Sequence, residues 1–425
     1  MMHFDSLPDW LKWQESHHPL AIDLGLERAA QIYRVLNPDA IKPLTITVAG
    51  TNGKGSCVAF LEAIYTAAGY TVGSYTSPHI LKYNERIKIN GEPVSDALIC
   101  AAFDRIEAAR QDTSLSYFEF GTLAALDIFW RSNVDIQLLE VGMGGRLDAV
   151  NIIDTDAALV SSIHIDHVDW LGATRDIIAI EKAGVFRAHS PAIIGDPHPP
   201  ETLRQCAIDK NALPYCIGTD FSYHRHASGW DWSAGDQQLI NLPDPALKGE
   251  HQYRNASSVL MAIQQLNTHI PVTEAAIQSG LKNVYLAGRF QKINLDNGVP
   301  LLLDVGHNPE AVSTLANYLR AAFPNRRVHA IFSMMKDKDI AGVIKIMASA
   351  VHFWHFVPLT TPRAISTAAV QEIFSQGQIT NVSFDYTEFA GAFAAAKNQC
   401  QKNDVLLVFG SFFLVSDCLI ELEGK

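Results

Sequence analysis

The stretch Thr47-Val48-Ala49-Gly50-Thr51-Asn52-Gly53-Lys54-Gly55-Ser56 constrains this chain more than any other. The apolar run Leu44–Ala49 predicts a buried strand, and Cys57–Ala68 predicts a helix. Between them, three glycines, a lysine and a serine suit a backbone that wraps a phosphate chain. Glycine lets the main chain approach oxygens and present N–H groups, and the helix N-terminus adds partial positive charge. Lys54 neutralises phosphates and the Ser56 hydroxyl can ligate Mg²⁺. The common spacing G-x-x-x-x-G-K-[ST] is not met, because only Thr51 and Asn52 separate Gly50 from Gly53 and Gly55 stands between Lys54 and Ser56. A glycine-rich turn that binds nothing is the competing reading; the lysine and the hydroxyl favour an ATP-type site.

Strand-length apolar runs alternate with helix-period segments along most of the chain. Leu44–Ala49, Thr71–Tyr75, Asp135–Val141, Ala157–Ser161 and Ala192–Gly195 read as strands, and Asp96–Arg110 and Gly121–Arg131 as helices. Such alternation implies a parallel sheet covered on both faces. A polar segment carrying Gly229, Gly235, Pro243 and Pro245 suits short antiparallel strands, and helical stretches His251–Leu266 and Thr273–Leu281 follow. A second series begins near Arg289. Its strands are Leu301–Val305, Arg327–Phe332, Val351–Phe356 and Val405–Phe409; its helices are Pro309–Leu319, Ile340–Met347, Ala368–Ile373 and Phe389–Asn398. The expected fold class is α/β: an N-terminal P-loop-type domain with a mostly parallel sheet, residues 1–285, and a smaller C-terminal Rossmann-like domain, residues 286–425. Two such units imply a cleft, where chemistry on two substrates usually sits.

A chain of 425 residues is long enough for two domains, each with its own core. With 48% hydrophobic and 18% charged residues it groups with ordinary globular proteins. The net charge of −12 provides no footprint for nucleic acid or anionic lipid. Cations that handle anionic substrates must therefore be concentrated at the site. Six cysteines (Cys57, Cys100, Cys206, Cys216, Cys400, Cys418) lack Cys-x-x-Cys spacing, which argues against a disulfide framework and a zinc cage. No basic, apolar leader opens the chain, and no run approaches the ~20 apolar residues of a membrane span. A cytoplasmic protein without membrane or nucleic-acid partners is expected.

Asp135–Gly142 reads as a buried strand with a carboxylate at its end. A phosphate loop needs a second strand whose tip supplies an acid to organise Mg²⁺, and Glu140 fits; a helix cap or surface acid is the alternative. Gly142-Met143-Gly144-Gly145-Arg146-Leu147 mimics a dinucleotide fingerprint but fails at Leu147. His164-Ile165-Asp166-His167-Val168-Asp169 suits either a metal or a solvated loop, with His167 the candidate ligand and Mg²⁺ favoured over zinc. Ser77-Pro78-His79 reads as a proline-marked turn whose hydroxyl can join the metal. Lys182, in Glu181-Lys182-Ala183-Gly184, reads from its spacing as a solvated last-turn cation. Leu301–Pro309 sets Asp304 at a strand's carboxyl end, with Asn308 to cap the next helix and Pro309 in its first turn. Asp304 and His307 are left facing the crevice at the sheet's carboxyl edge. Gly410-Ser411 is another strand-to-helix anion site, or a plain N-cap.

The loop Gly50–Ser56 is similar to the nucleotide loop of the Mur ligase superfamily. Within it the chain most closely resembles the bifunctional dihydrofolate synthases/folylpolyglutamate synthases. The likeness also runs through Ile22–Arg28, Ser77-Pro78-His79, Tyr117–Thr122, Leu139–Gly142, Gly144–Ala149, Asp166-His167, Glu181–Gly184, Gly288-Arg289-Phe290, Asp304 with His307-Asn308-Pro309, and Gly410-Ser411, all in order. The resemblance implies that Gly50, Thr51, Asn52, Gly53, Lys54, Gly55 and Ser56 bind ATP, with Asn255, Arg289 and Asp304. It implies that Ser56, Ser77, Glu140 and His167 hold Mg²⁺, as a pair of ions, together with a carbamylated Lys182. That last role reverses the solvated-cation reading. Ile22, Asp23, Leu24, Gly25, Ser116, Tyr117, Phe118, Glu119, Leu147, Asp148 and Ala149 match segments that hold dihydropteroate, which favours two activities over polyglutamylation alone. Ala287, Gly306 and Val150 depart from the usual pattern by small changes of stiffness or packing.

The implied reaction joins a pteroate or reduced-folate carboxylate to the amine of L-glutamate. ATP converts the carboxylate to an acyl phosphate, the amine attacks, and ADP and phosphate leave. Lys54, Lys182 and His307 are the catalytic candidates, His307 as the group that orients or deprotonates the amine. The rival readings are a monofunctional folylpolyglutamate synthase, a Mur-type ligase acting on a nucleotide-linked peptide, and an ATP-dependent switch without turnover. The Mur-type reading is disfavoured by the ~45 residues ahead of the loop, too few for a further domain. A monomer is expected.

Overall fold

The computed structural model describes residues 3–20, 23–38 and 42–424. It divides into two compact units, one of Met1–Ala246 with Tyr253–Val284 and a smaller one of Leu247–Gln252 with Tyr285–Lys425.

In the larger unit, β1 (Leu44–Ala49), β2 (Val72–Tyr75), β3 (Ile87–Ile89), β4 (Glu92–Pro93), β5 (Ile136–Glu140), β6 (Ala157–Val160), β7 (Pro191–Ile194) and β8 (Leu213–Cys216) form one sheet. Its order is β4-β3-β2-β5-β1-β6-β7-β8. The pairings from β2 through β8 are parallel, and β3 with β4 adds an antiparallel edge. The central strands are buried apart from Leu44 at the start of β1, as parallel strands covered on both faces are. On one face the helix Lys54–Ala67 packs so tightly on Glu274–Asn283 that a Cβ on Gly280 would lie 2.4 Å from Ile64. Elsewhere in the unit, the helices Leu7–His17, Asp96–Arg110 and Tyr117–Arg131 contribute Trp10, Phe103, Phe120 and Phe129 to a single core. The polar segment forms a three-stranded antiparallel sheet of β9 (Phe221–His226), β10 (Gly229–Ala234) and β11 (Gln237–Leu242). Trp230 and Trp232 are buried there, their indole N–H groups donating to the carbonyls of Pro243 and Ser257.

The smaller unit holds β12 (Gln291–Asn294), β13 (Pro300–Asp304), β14 (Val328–Phe332), β15 (Phe353–Phe356), β16 (Val382–Ser383) and β17 (Val405–Phe409), in the order β12-β13-β17-β14-β15-β16. Only β12 runs antiparallel. Both units are thus α/β with parallel-dominated sheets, as the alternating pattern predicts. No described helix is long and apolar enough to cross a membrane.

Two helix starts differ from the sequence reading. The helix placed at Cys57 begins at Lys54, because Gly53 at φ +91° turns the chain directly into it. The helix placed at Gly121 begins at Tyr117, because Ser116 and Glu119 cap each other's backbone amides reciprocally.

Candidate active site

The strand register brings the candidate residues of the larger unit to one edge. Val48 of β1 lies opposite Glu140 of β5 on one side and Leu159 of β6 on the other, so the tips of three parallel strands end together. The loop after β1 is stapled to the segment after β6. Thr51 N–H donates to the Ser162 carbonyl (2.8 Å), Asn52 N–H to Ser162 Oγ (3.1 Å), and Ser161 Oγ to the Asn52 carbonyl (2.7 Å). The approach is too close for a side chain: a Cβ on Gly50, at φ +144°, would lie 2.0 Å from Ser161 Oγ. Asn255 lies over Gly53, where a Cβ would come within 2.9 Å of its Oδ1. Lys54, Gly55 and Ser56 occupy the first helical turn rather than the loop, which aims that turn's amides out of the helix end.

Lys54 Nζ donates to the carbonyls of Gly50 (3.0 Å) and Thr51 (3.3 Å), and Lys182 Nζ donates to the same Gly50 carbonyl (2.9 Å). Lys182 is only 4% exposed, so the solvated-cation reading of this residue is wrong. Burial, reinforced by the Lys54 ammonium, brings its amine down to about 7 against the pull of Asp166 and Asp148. Glu140 is buried at the tip of β5 and accepts the backbone N–H of Ser77 at 3.2 Å. The carboxylate and the Ser77 turn are thereby brought together. His167 is exposed, in a left-handed conformation (φ 52°) at the start of the short helix Val168–Leu171.

The donor types fit a hard divalent cation. Ser56 and Glu140 are buried oxygen donors, and burial pushes the neighbouring Cys57 thiol up to about 12, so no thiolate competes. Among the described residues no group of three or more His, Cys, Asp or Glu side chains is placed to hold a metal. Mg²⁺ that keeps waters and phosphate oxygens needs only one or two carboxylates.

The candidate pteroate residues gather in the same unit, save Ile22, which lies outside the described residues. Glu119 accepts from the Ser116 amide and hydroxyl and from Arg28, which also holds Asp23. Phe118 lies across Gly142, where a Cβ would approach its ring to 2.6 Å. Tyr117 stands edge-on to Tyr83, with the Arg86 guanidinium 5.5 Å from the Tyr117 ring centroid. Asp148 is buried, accepting from the amides of Met143 (2.8 Å) and Val150 (3.1 Å); burial nevertheless pushes its carboxyl up to about 6. Gly25 and Leu24 are half-buried beside Asp23, and Leu147 and Ala149 flank Asp148.

In the smaller unit, Asp304 ends β13 and accepts from the amides of Gly306 (2.8 Å) and Phe290 (3.3 Å). Burial pushes it up to about 6, opposed by Arg289. Arg289 lies over the Phe412 ring at 5.3 Å, and His307 Nδ1 donates to the Val305 carbonyl at 2.9 Å. Asn308 caps the helix Pro309–Ala322, and Ser411 caps Phe412–Glu423.

A model of the Mur ligase glutamate ligase domain matches residues 288–412. The dihydrofolate synthase/folylpolyglutamate synthase of Escherichia coli K12 is 40% identical over 419 residues, spanning 99% of this chain and 96% of its own. The structure of E. coli FolC in complex with DHPP and ADP superposes with a TM-score of 0.93 at 38% identity, covering 100% of this chain and 99% of that one. The chain belongs to the dihydrofolate synthase/folylpolyglutamate synthase family. The bifunctional enzyme from Yersinia pestis complexed with AMPPNP and Mn ion is likewise similar, at a TM-score of 0.92 and 39% identity over 100% of both chains. Membership makes this chain an ATP-dependent, amide-forming ligase.

Sequence reasoning missed several residues that shape this family member's site. Ser161 and Ser162 hold the Gly50–Ser56 loop, yet nothing in their spacing marks them. Phe412 shelters Arg289 but lies far from it in sequence. Arg28 stands out in the sequence only as part of the Ile22–Arg28 motif, although its guanidinium joins two distant segments.

Proposed function

We propose that this chain joins L-glutamate to dihydropteroate and to reduced folates through an acyl phosphate. The observation that carries this reading is the pairing, within one unit, of a glycine-rich nucleotide loop with the linked Asp23 and Ser116–Glu119 segments. Residues 1–285 are assigned to ATP and pteroate and residues 286–425 to glutamate ligation. The protein acts as a cytoplasmic monomer on small molecules, without nucleic-acid or membrane partners.

Gly50–Ser56 and Asn255 cradle the triphosphate, and Arg289 and Asp304 contact the nucleotide. Lys54 leaves the Gly50 carbonyl to follow the γ-phosphoryl group as charge builds on it, the dominant contribution in such transfers. Ser56, Ser77, Glu140, His167 and a carbamylated Lys182 would hold a pair of Mg²⁺ ions, which would neutralise phosphate charge and draw two anions together. Carbamylation requires a neutral amine: Nζ attacks CO₂, the N–C bond forms and a proton leaves. A buried Lys182 next to Lys54 supplies that amine near neutral pH. Asp148, Leu147 and Ala149 line the pteroate with Tyr117 and Phe118, and the Asp148 carboxylate suits the amino edge of a pteridine. His307, whose Nδ1 donates to the Val305 carbonyl, is the group that orients or deprotonates the incoming glutamate amine.

The test is product analysis with ATP, Mg²⁺ and glutamate, run in parallel with dihydropteroate and with tetrahydrofolate. Glutamylated product from both supports the proposal. Product from the folate alone reduces it to a folylpolyglutamate synthase, and ATP binding without glutamate-dependent phosphate release overturns it.

A further inference from the structure

Arg28 stands at the centre of an ion network in the larger unit. Its Nε and Nη2 donate to the two oxygens of Glu119 at 3.1 and 3.3 Å, while Nη1 and Nη2 reach Asp23 at Oδ2 (2.6 Å) and at its backbone carbonyl (3.2 Å). Asp23 Oδ2 is shared with His18 Nε2 at 3.0 Å, and His18 Nδ1 lies 2.7 Å from Ser114 Oγ. Two bridges thus tie the Asp23 loop to residues 114–119, one through His18 and one through Arg28. Glu119 is 2% exposed and also accepts from the Ser116 amide and hydroxyl at 2.8 Å each, so it is a fixed post rather than a mobile partner. Only a planar fork with five donors can serve a bidentate carboxylate on one side and a carboxylate plus a carbonyl on the other.

We infer that Arg28 is a positioning residue that locks the Asp23–Gly25 loop against the Ser116-capped helix start and thereby sets the affinity for the pteroate substrate. The inference rests on the pteroate-ligase reading above. Arg28 acts through Asp23 and Glu119, one in each pteroate segment; His18 and Ser114 stand just outside those segments, and none of the four lies in Gly50–Ser56. Its effect therefore falls on one substrate and spares the nucleotide.

The experiment is steady-state kinetics of Arg28→Gln and Arg28→Lys, with dihydropteroate, ATP and glutamate each varied in turn and Mg²⁺ in excess. Arg28→Gln is expected to raise the KM for dihydropteroate about tenfold or more, the scale of lost charge-assisted bonds, with kcat and the KM for ATP within about twofold. Arg28→Lys, which keeps the charge but loses the fork, is expected to fall between. Because Arg28→Gln leaves the Glu119 carboxylate buried without its cation, the thermal midpoint of both variants is measured alongside. Arg28→Lys, which keeps a cation beside that carboxylate, is expected to hold the wild-type midpoint and still show a raised KM. An unchanged KM for dihydropteroate in a folded variant overturns the inference, as does a parallel rise in the KM for ATP, which marks general loosening. A wild type that fails to use dihydropteroate overturns the substrate reading and the inference together; failure of the variants alone overturns only the inference.

Discussion

Lys54 and Lys182 share one acceptor, the Gly50 carbonyl, at 3.0 and 2.9 Å. Two amines held this close repel, and burial with that repulsion lowers the Lys182 amine to about 7. Lys54→Ala is expected to cut glutamate-dependent phosphate release by at least ~10²-fold, since it removes charge stabilisation at the moving phosphoryl group; single-turnover kinetics check it. Lys182→Ala is expected to be inactive and partly rescued by added short carboxylates, with the carbamate of the wild type sought by intact mass. The same lysine has a stability signature. Its folded-state value of about 7 lies below the ordinary 10.5 of the unfolded chain. Between those values the unfolded chain binds a proton that the folded protein does not, so stability rises with pH across that window. In CO₂-free buffer Lys182→Met is expected to melt higher than wild type near pH 7, and its advantage should shrink towards about pH 10. Thermal unfolding over that range tests the sign.

At the scale of elements, the loops decide whether strands and helices become a site. Gly50→Ala places a Cβ in a left-handed backbone and against Ser161 at 2.0 Å. It is expected to cost about 1–3 kcal/mol in urea unfolding and to abolish nucleotide binding by calorimetry. Strand positions were legible because buried parallel strands are short, β-branched and largely apolar: Leu44–Ala49, with Thr45 and Thr47 among its apolar residues, and the wholly apolar Val405–Phe409 fall where their sequence places them. Helix starts were less legible, since caps are local contests. Gly53 and the Ser116–Glu119 pair each extended a helix beyond its apolar pattern. The short strands Ile87–Ile89 and Glu92–Pro93 carry too few residues for a periodic signal. In the site, residues that carry chemistry within one motif could be read, while those that act across sequence could not. Lys182 shows why: its spacing describes a helix end, and only the tertiary fold buries it.

At the scale of the whole molecule, metal is expected to serve turnover rather than folding. Among the described residues no set of three or more His, Cys, Asp or Glu forms a cage. EDTA is expected to stop product formation while leaving the thermal midpoint of the ligand-free protein unmoved, and added Mg²⁺ or Mn²⁺ should restore turnover. A midpoint that falls with EDTA would contradict this. The sheets also have borders. The larger one closes on the two-residue, exposed strand Glu92–Pro93 and, at its far side, on a strand carrying Pro214; the smaller one closes on the two-residue Val382–Ser383. A strand that brief, or one lacking an amide at proline, offers a second copy almost nothing to zip onto. The fourth border, Gln291–Asn294, turns the charged Lys292 outward instead, so each rim of the two sheets is brief, broken by proline or guarded by charge against backbone pairing with a second copy.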